Sequence, residues 1–214
     1  MSSETPTTQQ RRVWDKNAPS YDKQIALFEK IQFRGGREWL GKRARGRVLE
    51  VAIGTGLNLP YYPADATITG IELSPAMLDI ARQRAADLDR PVDLREGDAE
   101  HLPFENSSFD TVVCALSLCT IPDPATAIGE MERVLVPGGR LLLLDHIGST
   151  WPPIYAAQWL LERMTIRAAG EHFTRRQLPL VTATGFEIVE TERLKAGTVE
   201  RIFARKPAAE GRAA

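Results

Sequence analysis

The chain has 214 residues, enough for one large domain with a substantial core. Its 43% apolar and 26% charged residues are typical of a globular protein, and its net charge of −1 offers no basic excess for nucleic acid. The two cysteines, Cys114 and Cys119, form neither a disulfide framework nor a zinc pattern, so we expect reduced thiols and no metal. Because no segment resembles a signal peptide or a membrane span, we expect a cytoplasmic protein.

The N-terminal part is predicted to be a disordered tail followed by a helical cap. Residues 1–12 are rich in Ser, Thr and Gln, a composition that favours disorder. From residue 13 to residue 40, apolar residues recur at the spacing of two short amphipathic helices, with a pair of glycines between them. We therefore expect a helical cap over residues 13–46.

Strands and helices alternate from there to residue 146. Apolar runs predict strands at residues 47–51, 67–71, 92–95, 109–115 and 140–145. Ser74 and Pro75 have the residue types of an N-cap and a first helical position, which predicts a helix to residue 88. A further helix is expected over residues 123–135. This alternation predicts an α/β fold with a parallel sheet and right-handed crossovers.

The last third of the chain has a different pattern. Helices are predicted at residues 151–164 and 174–184, within an insert that spans residues 147–184. Two strands, at residues 186–194 and 198–204, are joined by a short connection typical of an antiparallel hairpin. We expect one domain over residues 13–206 and a second disordered tail over residues 207–214.

A glycine loop follows the first strand, as Gly54-Thr55-Gly56. Glycines there allow a ligand to approach the backbone N–H groups. A dinucleotide-binding loop would have a third glycine where this chain has Leu59. Glu50, in the preceding strand, suits a cationic amino-acid ligand and would repel a pyrophosphate.

Two more acidic residues follow the next two strands. Glu72 is placed to accept hydrogen bonds from ribose hydroxyls, and Asp98 can accept from an adenine amino group. Each residue alone could equally cap a helix or a turn. Together, at one edge of a parallel sheet, they predict a site for an amino acid, a ribose and a purine.

These residues belong to segments that resemble the class I S-adenosylmethionine-dependent methyltransferases, in the subgroup of the menaquinone and ubiquinone methyltransferases. The resemblance covers residues 14–205, and the matching segments are Trp14 with residues 18–22, then residues 50–56, 69–78, 97–100, 102–104, 109–110 and 137–139. It implies a Rossmann-like sheet of order 3-2-1-4-5-7-6, with strand 7 antiparallel. One departure is Ala52, where the family usually has glycine.

The resemblance also implies S-adenosylmethionine as cofactor, with S-adenosylhomocysteine as product. The methionine part is then expected to be held by Glu50, by the backbone from Ala52 through Gly54, Thr55 and Gly56, and by the nearby Asn58. Glu72 is expected to bind the ribose, with Leu73 and Met77 against the adenine. The remaining expected contacts are Asp98 and Ala99 at the adenine edge, Ala115 and Leu116 at the sulfonium, and Tyr21 closing over the cofactor.

The acceptor side offers less information. Direct transfer of a methyl group requires that the cofactor and the acceptor are aligned and that water is excluded. A base is required only where the acceptor must lose a proton. His146, after the fifth strand, and His172, in the insert, are the candidate bases; the alternative for each is a hydrogen-bonded structural histidine. Cys119 is expected to pack in the pocket wall rather than act as a nucleophile.

The helix predicted over residues 151–164 is rich in aromatic and aliphatic residues. Such a helix most often roofs an apolar pocket and less often lies on a membrane. We expect a small apolar acceptor, a thiol before a hydroxyl or an amine, because a thiol ionises most readily. Residues 114–119, 144–146 and 173–175 also resemble alkyl thiol S-methyltransferases, and residues 57–62 resemble bacterial phosphatidylethanolamine N-methyltransferases.

Several alternatives stay open at this point. A phospholipid or quinone methyltransferase at a membrane surface, with peripheral membrane contact, would fit the same sequence. So would a module that binds S-adenosylmethionine without catalysis, although Glu72 and Asp98 are intact. The missing third glycine disfavours a nicotinamide-dependent oxidoreductase. A nucleic-acid partner is not expected, and the protein could be a monomer or a homodimer.

Overall fold

The computed structural model describes residues 5–208, apart from the side chains of residues 167–169. The strands are β1 (Arg47–Val51), β2 (Thr67–Glu72), β3 (Val92–Glu96), β4 (Phe109–Ala115), β5 (Leu135–His146), β6 (Glu187–Leu194) and β7 (Val199–Arg205). The α-helices are α1 (Pro6–Gln32), α2 (Gly36–Arg43), α3 (Pro75–Asp87), α4 (Pro124–Val134), α5 (Pro152–Ala169) and α6 (Leu178–Ala183). One 3₁₀ turn, Leu59–Tyr61, lies between β1 and β2.

The seven strands form one sheet in the order β3-β2-β1-β4-β5-β7-β6. Strands β1 to β5 pair in parallel, whereas β7 is antiparallel to both β5 and β6. The predicted order and the antiparallel strand 7 are therefore confirmed. Because β1 to β4 run in one direction, their carboxyl ends meet at the same edge of the sheet.

Helices cover both faces of the sheet with separate apolar cores. On one face, α4 and α6 contribute Ile128, Met131 and Val181 to a core with the central strands. On the other face, α2 and α3 contribute Trp39 and Leu78. The central strands are buried on both sides, which explains why their sequences are nearly continuous in apolar residues.

The N-terminal helix is longer than expected. Residues 6–12 were predicted to be disordered, and that prediction is wrong because α1 begins at Pro6. The Thr5 side chain accepts a hydrogen bond from the Thr8 N–H and caps the helix. The Gln10 side chain donates to the Thr120 carbonyl at 2.5 Å, a contact 110 residues away that fixes this segment. Residues 1–4 and 209–214 of the two predicted tails lie outside the described part of the chain.

Two other predicted boundaries are corrected. β5 begins at Leu135 rather than at residue 140, and Gly138-Gly139 forms an irregularity inside its pairing with β4 instead of preceding the strand. The helix predicted from residue 174 begins only at Leu178. The residues before Leu178 make other hydrogen bonds instead of those of a helix. The Thr174 N–H donates to Glu162, and the Arg175 side chain donates to two backbone carbonyls.

Helix α5 contributes no described residue to the lining of the cleft at the sheet edge, contrary to the expectation that residues 151–164 roof the acceptor pocket. Its large apolar side chains face outward, with Leu160 63% and Met164 71% exposed. The reason is that α5 lies outside both apolar cores formed by the described residues. Within residues 5–208, no helix combines the length and the apolarity needed to cross a bilayer.

Candidate functional site

A cleft open to solvent, with about 860 Å³ of empty space when the solvent at its mouth is included, lies at the carboxyl ends of β1 to β4 and beneath helix α1. Twelve of the fourteen predicted cofactor residues line it: Tyr21, Glu50, Ala52, Gly54, Thr55, Glu72, Leu73, Met77, Asp98, Ala99, Ala115 and Leu116. Residues up to 95 positions apart in the chain, from Tyr21 to Leu116, are thus brought to one surface. Their contacts with a cofactor stay predictions.

Gly56 and Asn58 are near the cleft but are not in its described lining. A Cβ at Gly56 would lie 3.0 Å from the Leu59 side chain and 3.4 Å from that of Ala81. Gly56 also has a φ of +79°, a backbone conformation that favours glycine. Gly56 therefore permits the glycine loop to pack against α3. Asn58 contributes through the hydrogen bond that its side-chain amide donates to Glu50.

Glu72 fastens the glycine loop to the start of α3. Its Oε2 accepts from the Gly54 N–H at 3.0 Å, and its Oε1 accepts from the Ser74 N–H at 2.9 Å. Burial raises the pKa of the carboxyl group, and these N–H donors oppose that rise. Each carboxylate oxygen retains a second acceptor site. A ligand with hydroxyl donors can therefore bind Glu72 while the loop stays in place.

Glu50 is the centre of a buried polar network. Its Oε1 accepts from the Asn58 amide at 2.7 Å, and its Oε2 accepts from the Tyr62 hydroxyl at 2.8 Å. Asn58 in turn accepts from Arg37, which is ion-paired with Glu29. Burial raises the pKa of Glu50 to about 7, against the opposing effect of the two hydrogen bonds. A cation bound beside Glu50 would therefore favour the carboxylate over the protonated form.

Asp98 and Ala99 lie at the β3 end of the cleft. The Asp98 carboxylate accepts from the Glu100 N–H at 2.9 Å, which fixes the turn after the strand. One carboxylate oxygen makes that contact and the other is left for a ligand donor. Ala99 packs against the apolar core on one side and borders the cleft on the other.

Helix α1 forms the cover of the cleft. Trp14 and Tyr21 both line it, and their rings meet edge to face at a centroid distance of 5.9 Å. Asp15 accepts from the Ser74 hydroxyl at 2.5 Å. Asp22 accepts from the Thr55 hydroxyl at 2.7 Å and is ion-paired with Arg84. These contacts hold α1 against the glycine loop and α3. Burial beneath this cover raises the pKa of the Tyr21 hydroxyl.

Sequence reasoning missed part of the lining. Thr7 and Gln10 were assigned to a disordered tail, and Arg37 was assigned only to the helical cap. Trp14 belongs to a matching segment, but no site role was inferred for it. For Arg37 the sequence holds no local signal, because its partners Glu29 and Asn58 become neighbours only in the fold.

Ala115 and Leu116 form the wall at the end of β4. Leu116 has a φ of +56°, and its N–H donates to the Leu144 carbonyl at 2.8 Å. A left-handed backbone is strained for a large side chain, and such strained residues often cluster at functional sites. Ser117, Thr120, Ile121 and Pro122 continue this wall.

The two candidate bases, His146 and His172, are absent from the described lining of the cleft. His146 is 6% exposed and stacks on Phe173 at a centroid distance of 4.8 Å. Its Nε2 lies 3.3 Å from Glu171 Oε1. Burial lowers the pKa of His146, but the carboxylates of Glu171 and Asp145 outweigh that effect and raise it. His172 lies farther out, with its Nδ1 3.5 Å from Glu162.

The charges of the cleft favour a cationic ligand. Its described lining contains three carboxyl side chains, Glu50, Glu72 and Asp98, and a single guanidinium, that of Arg37. S-Adenosylmethionine has a sulfonium and an ammonium group against one carboxylate, whereas a dinucleotide has a negatively charged pyrophosphate. Opposite charges attract strongly in such a partly buried site.

Comparison with known proteins agrees with this geometry. Residues 49–143 match the family model described as "Methyltransferase domain". A demethylmenaquinone methyltransferase of Staphylococcus aureus is 34% identical over 179 residues, which cover 78% of this chain and 72% of that protein. The chain belongs to the class I S-adenosylmethionine-dependent methyltransferases. The predicted family and cofactor are thereby confirmed.

Other relatives match a smaller part of their own length. A phosphatidylethanolamine N-methyltransferase of Cereibacter sphaeroides is 39% identical over 120 residues, 55% of this methyltransferase chain and 59% of that protein. The chain thus spans less than two thirds of this relative. A Thermotoga maritima structure described as an S-adenosylmethionine-dependent methyltransferase superposes with a TM-score of 0.72 at 22% identity, over 91% of this chain and 99% of that one. The latter likeness concerns the fold.

Proposed function

We propose that the protein transfers the methyl group of S-adenosylmethionine directly to a small apolar acceptor. The observation that carries this proposal is the cleft itself, with carboxylates at the ends of β1, β2 and β3 and a neutral wall at the end of β4. In this arrangement Glu50 faces the ammonium group, Glu72 the ribose and Asp98 the adenine. The sulfonium then lies beside Ala115 and Leu116.

The wall beyond the sulfonium supports an apolar acceptor. Leu116, Ile121 and Pro122 line it from the loop after β4, and Trp14 lines it from α1. Apolar walls with a few hydroxyl groups, here those of Ser117 and Thr120, are typical of sites for small organic molecules. A polyanion would find no cation on this wall within the described lining.

A thiol is the favoured acceptor because it needs the least help from a base. His146 and His172 lie outside the described lining, so neither is positioned to take a proton from an acceptor bound in the cleft. A hydroxyl or an amine would require one of them to move. The roles of both histidines as bases stay predictions.

The test is a methyl-transfer assay with labelled S-adenosylmethionine and three acceptors that share one apolar body and carry a thiol, a phenol or an amine. We expect labelled product from the thiol and less from the other two. Methylation of protein or nucleic acid without turnover of any small acceptor would contradict the proposal. Tight cofactor binding without turnover of any acceptor would favour a non-catalytic module.

A second candidate is methylation of a lipid, such as a phospholipid or a quinone, at a membrane surface. The observation that favours it is the exposed face of α5, where Trp159 is 48% and Leu160 63% exposed. The Arg163 guanidinium lies 4.4 Å from the Trp159 ring centroid. The Glu162 carboxylate is turned inward, toward Thr174. Tryptophan and arginine on one outward face suit an interface with anionic headgroups.

Vesicle flotation separates the two candidates. If lipid is the acceptor, the protein should float with anionic vesicles, and Leu160→Glu should abolish flotation. Leu88→Glu is the matched control, because Leu88 is an exposed leucine of α3's C-terminus with 42% exposure. If the protein does not float with vesicles but turns over the free thiol fully, the lipid candidate is contradicted and only the small-molecule proposal remains.

A further inference from the structure

A second cluster of chemically reactive side chains lies apart from the cofactor cleft. It consists of Cys119, His146 and Glu171, whose sulfur, nitrogen and oxygen atoms all lie within 4.8 Å of one another. The three residues come from different segments: the loop after β4, the last position of β5 and the loop after α5. Residues so far apart in the chain have no spacing that sequence reasoning could detect.

Within the cluster, the unpartnered polar atoms are the ring nitrogens of His146. The ring is buried, and neither Nδ1 nor Nε2 has a hydrogen-bond partner among the described residues. Glu171 Oε1 lies within ion-pair distance of Nε2, at 3.3 Å, without completing a hydrogen bond. Leaving both nitrogens of a buried imidazole unsatisfied is costly, and a bound ion would satisfy one of them.

The backbone around the cluster is held firmly. The Asp145 carboxylate accepts from the Cys119 N–H at 3.1 Å and from the His146 N–H at 2.8 Å. The His172 N–H donates to the Cys119 carbonyl at 2.9 Å, which ties the loop after α5 to the loop after β4. Phe173 stacks on the imidazole and shields it from solvent. The ligand-bearing segments are therefore preorganised.

We propose that Cys119, His146 and Glu171 form a site for a divalent transition metal, with zinc as the best match. One thiolate, one imidazole and one carboxylate are all ligands that zinc accepts. Zinc binding would release the thiol proton of Cys119 to solvent, and the thiolate and the Glu171 carboxylate would balance the two charges of the ion.

A tetrahedral zinc site needs a fourth ligand, and the cluster reaches solvent on the side of Glu171. The Glu171 side chain is 31% exposed, whereas Cys119 is 2% exposed. Water or an incoming ligand can therefore complete the tetrahedron from that side. The proposal concerns metal binding and does not depend on the acceptor proposed above.

Cobalt substitution tests the site, since Co²⁺ bound to a thiolate gives an intense near-ultraviolet charge-transfer band. The full chain is stripped with a chelator and titrated with Co²⁺ and then with Zn²⁺. We expect one Co²⁺ per chain, a thiolate band, and loss of that band when Zn²⁺ displaces the cobalt. We also expect the metal to raise the unfolding temperature.

Variants locate the ligands. Cys119→Ser should abolish the thiolate band, and Glu171→Gln should weaken binding by at least the roughly 10- to 100-fold that loss of an outer-sphere partner costs. Cys114→Ser is the matched control, because Cys114 is the other buried cysteine and lies outside the cluster. It should keep both the band and the stoichiometry. Absence of metal uptake by the wild-type chain, or a band that survives Cys119→Ser, would overturn the proposal.

Discussion

Ala52 and Leu116 follow the adjacent strands β1 and β4, and both have a left-handed backbone at the edge of the same cleft. Their φ angles are +53° and +56°. Non-glycine residues adopt this conformation at a cost of roughly 1–2 kcal/mol each. This conformation turns the chain sharply at the end of each strand, and the two neighbouring turns line the part of the cleft where we place the methionine part and the sulfonium of the cofactor.

Replacing Ala52 with glycine should remove one of these costs. We expect Ala52→Gly to stabilise the cofactor-free protein by about 1 kcal/mol, because the gain from relieved strain exceeds the entropy that glycine adds to the unfolded chain. Thermal or urea unfolding measures the difference. Ala99→Gly is the control, since Ala99 lines the same cleft with a negative φ. It should be neutral or destabilising, and equal stabilisation by both variants would refute the argument.

Glu72 should prove important for cofactor affinity. We expect Glu72→Ala to weaken S-adenosylmethionine binding by about 1.5–3 kcal/mol, the range for hydrogen bonds to a charged group. The substitution also leaves the Gly54 and Ser74 N–H groups without their acceptor, so stability should fall as well. Calorimetric titration of the folded variant measures the affinity.

A matched variant separates these two effects of Glu72. Ser74→Ala removes the cap of α3, where the Ser74 hydroxyl accepts from the Met77 N–H, and should cost about 1 kcal/mol of stability. Ser74 is outside the described lining of the cleft, and Asp15 of α1 still accepts from the Ala76 N–H at 3.3 Å when the Ser74 hydroxyl is lost, so cofactor affinity should change little. Equal losses of affinity in both variants would mean that Glu72 acts only by supporting the loop.

Much of the fold was predictable because its signals are local. Ser74 and Pro75 mark the start of α3, and the apolar run of β4 marks a strand buried on both faces. The cofactor residues were predictable for a related reason, since parallel strands bring Glu50, Glu72 and Asp98 to one edge. The family resemblance supplied the strand order, which no local pattern encodes.

The failures of prediction have a common cause in long-range contacts. The start of α1 is polar in composition, and only the bond from Gln10 to Thr120 and the cap at Thr5 show why it is ordered. The segment before α6 has helical periodicity, but Glu162 captures the Thr174 N–H. Arg37 is held at the cleft by Glu29 and Asn58, and no local spacing in the sequence relates the three residues.

His146 should matter little for methylation of a thiol. With wild-type and variant protein both kept free of metal by a chelator, we expect His146→Ala to reduce thiol turnover by an amount that higher pH restores. The reason is that a thiol ionises in solution near neutral pH. A phenol acceptor that depended on His146 as general base would instead lose about 10²–10⁴-fold. Rate measurements from about pH 6 to about pH 9 with both acceptors distinguish these outcomes.

Cofactor binding should be coupled to the ionisation of Glu50. Its pKa is about 7 in the cofactor-free protein because of burial, so the group is largely protonated at pH 6. The ammonium group of S-adenosylmethionine favours the carboxylate, and binding must therefore expel the proton. We expect affinity to rise by up to about tenfold per pH unit below pH 7. It should level off before the cofactor's own α-amino group begins to lose its proton near pH 8.

The same ionisation should appear in the stability of the cofactor-free protein. A carboxyl group whose pKa is raised from 4.5 to about 7 on folding binds more protons in the folded state, so its contribution to stability is lost as pH rises through that window. Glu50→Gln should remove this loss. At pH 7.5 the free energy of unfolding of the variant should therefore exceed that of the wild type by an amount on the order of 1–3 kcal/mol. The variant should also bind the cofactor more weakly, with an affinity that hardly changes from about pH 5.5 to about pH 7.5. Unfolding and calorimetric titrations at matched pH provide both readouts. A wild-type affinity independent of pH, or an unchanged pH dependence in Glu50→Gln, would show that Glu50 does not meet the ammonium group.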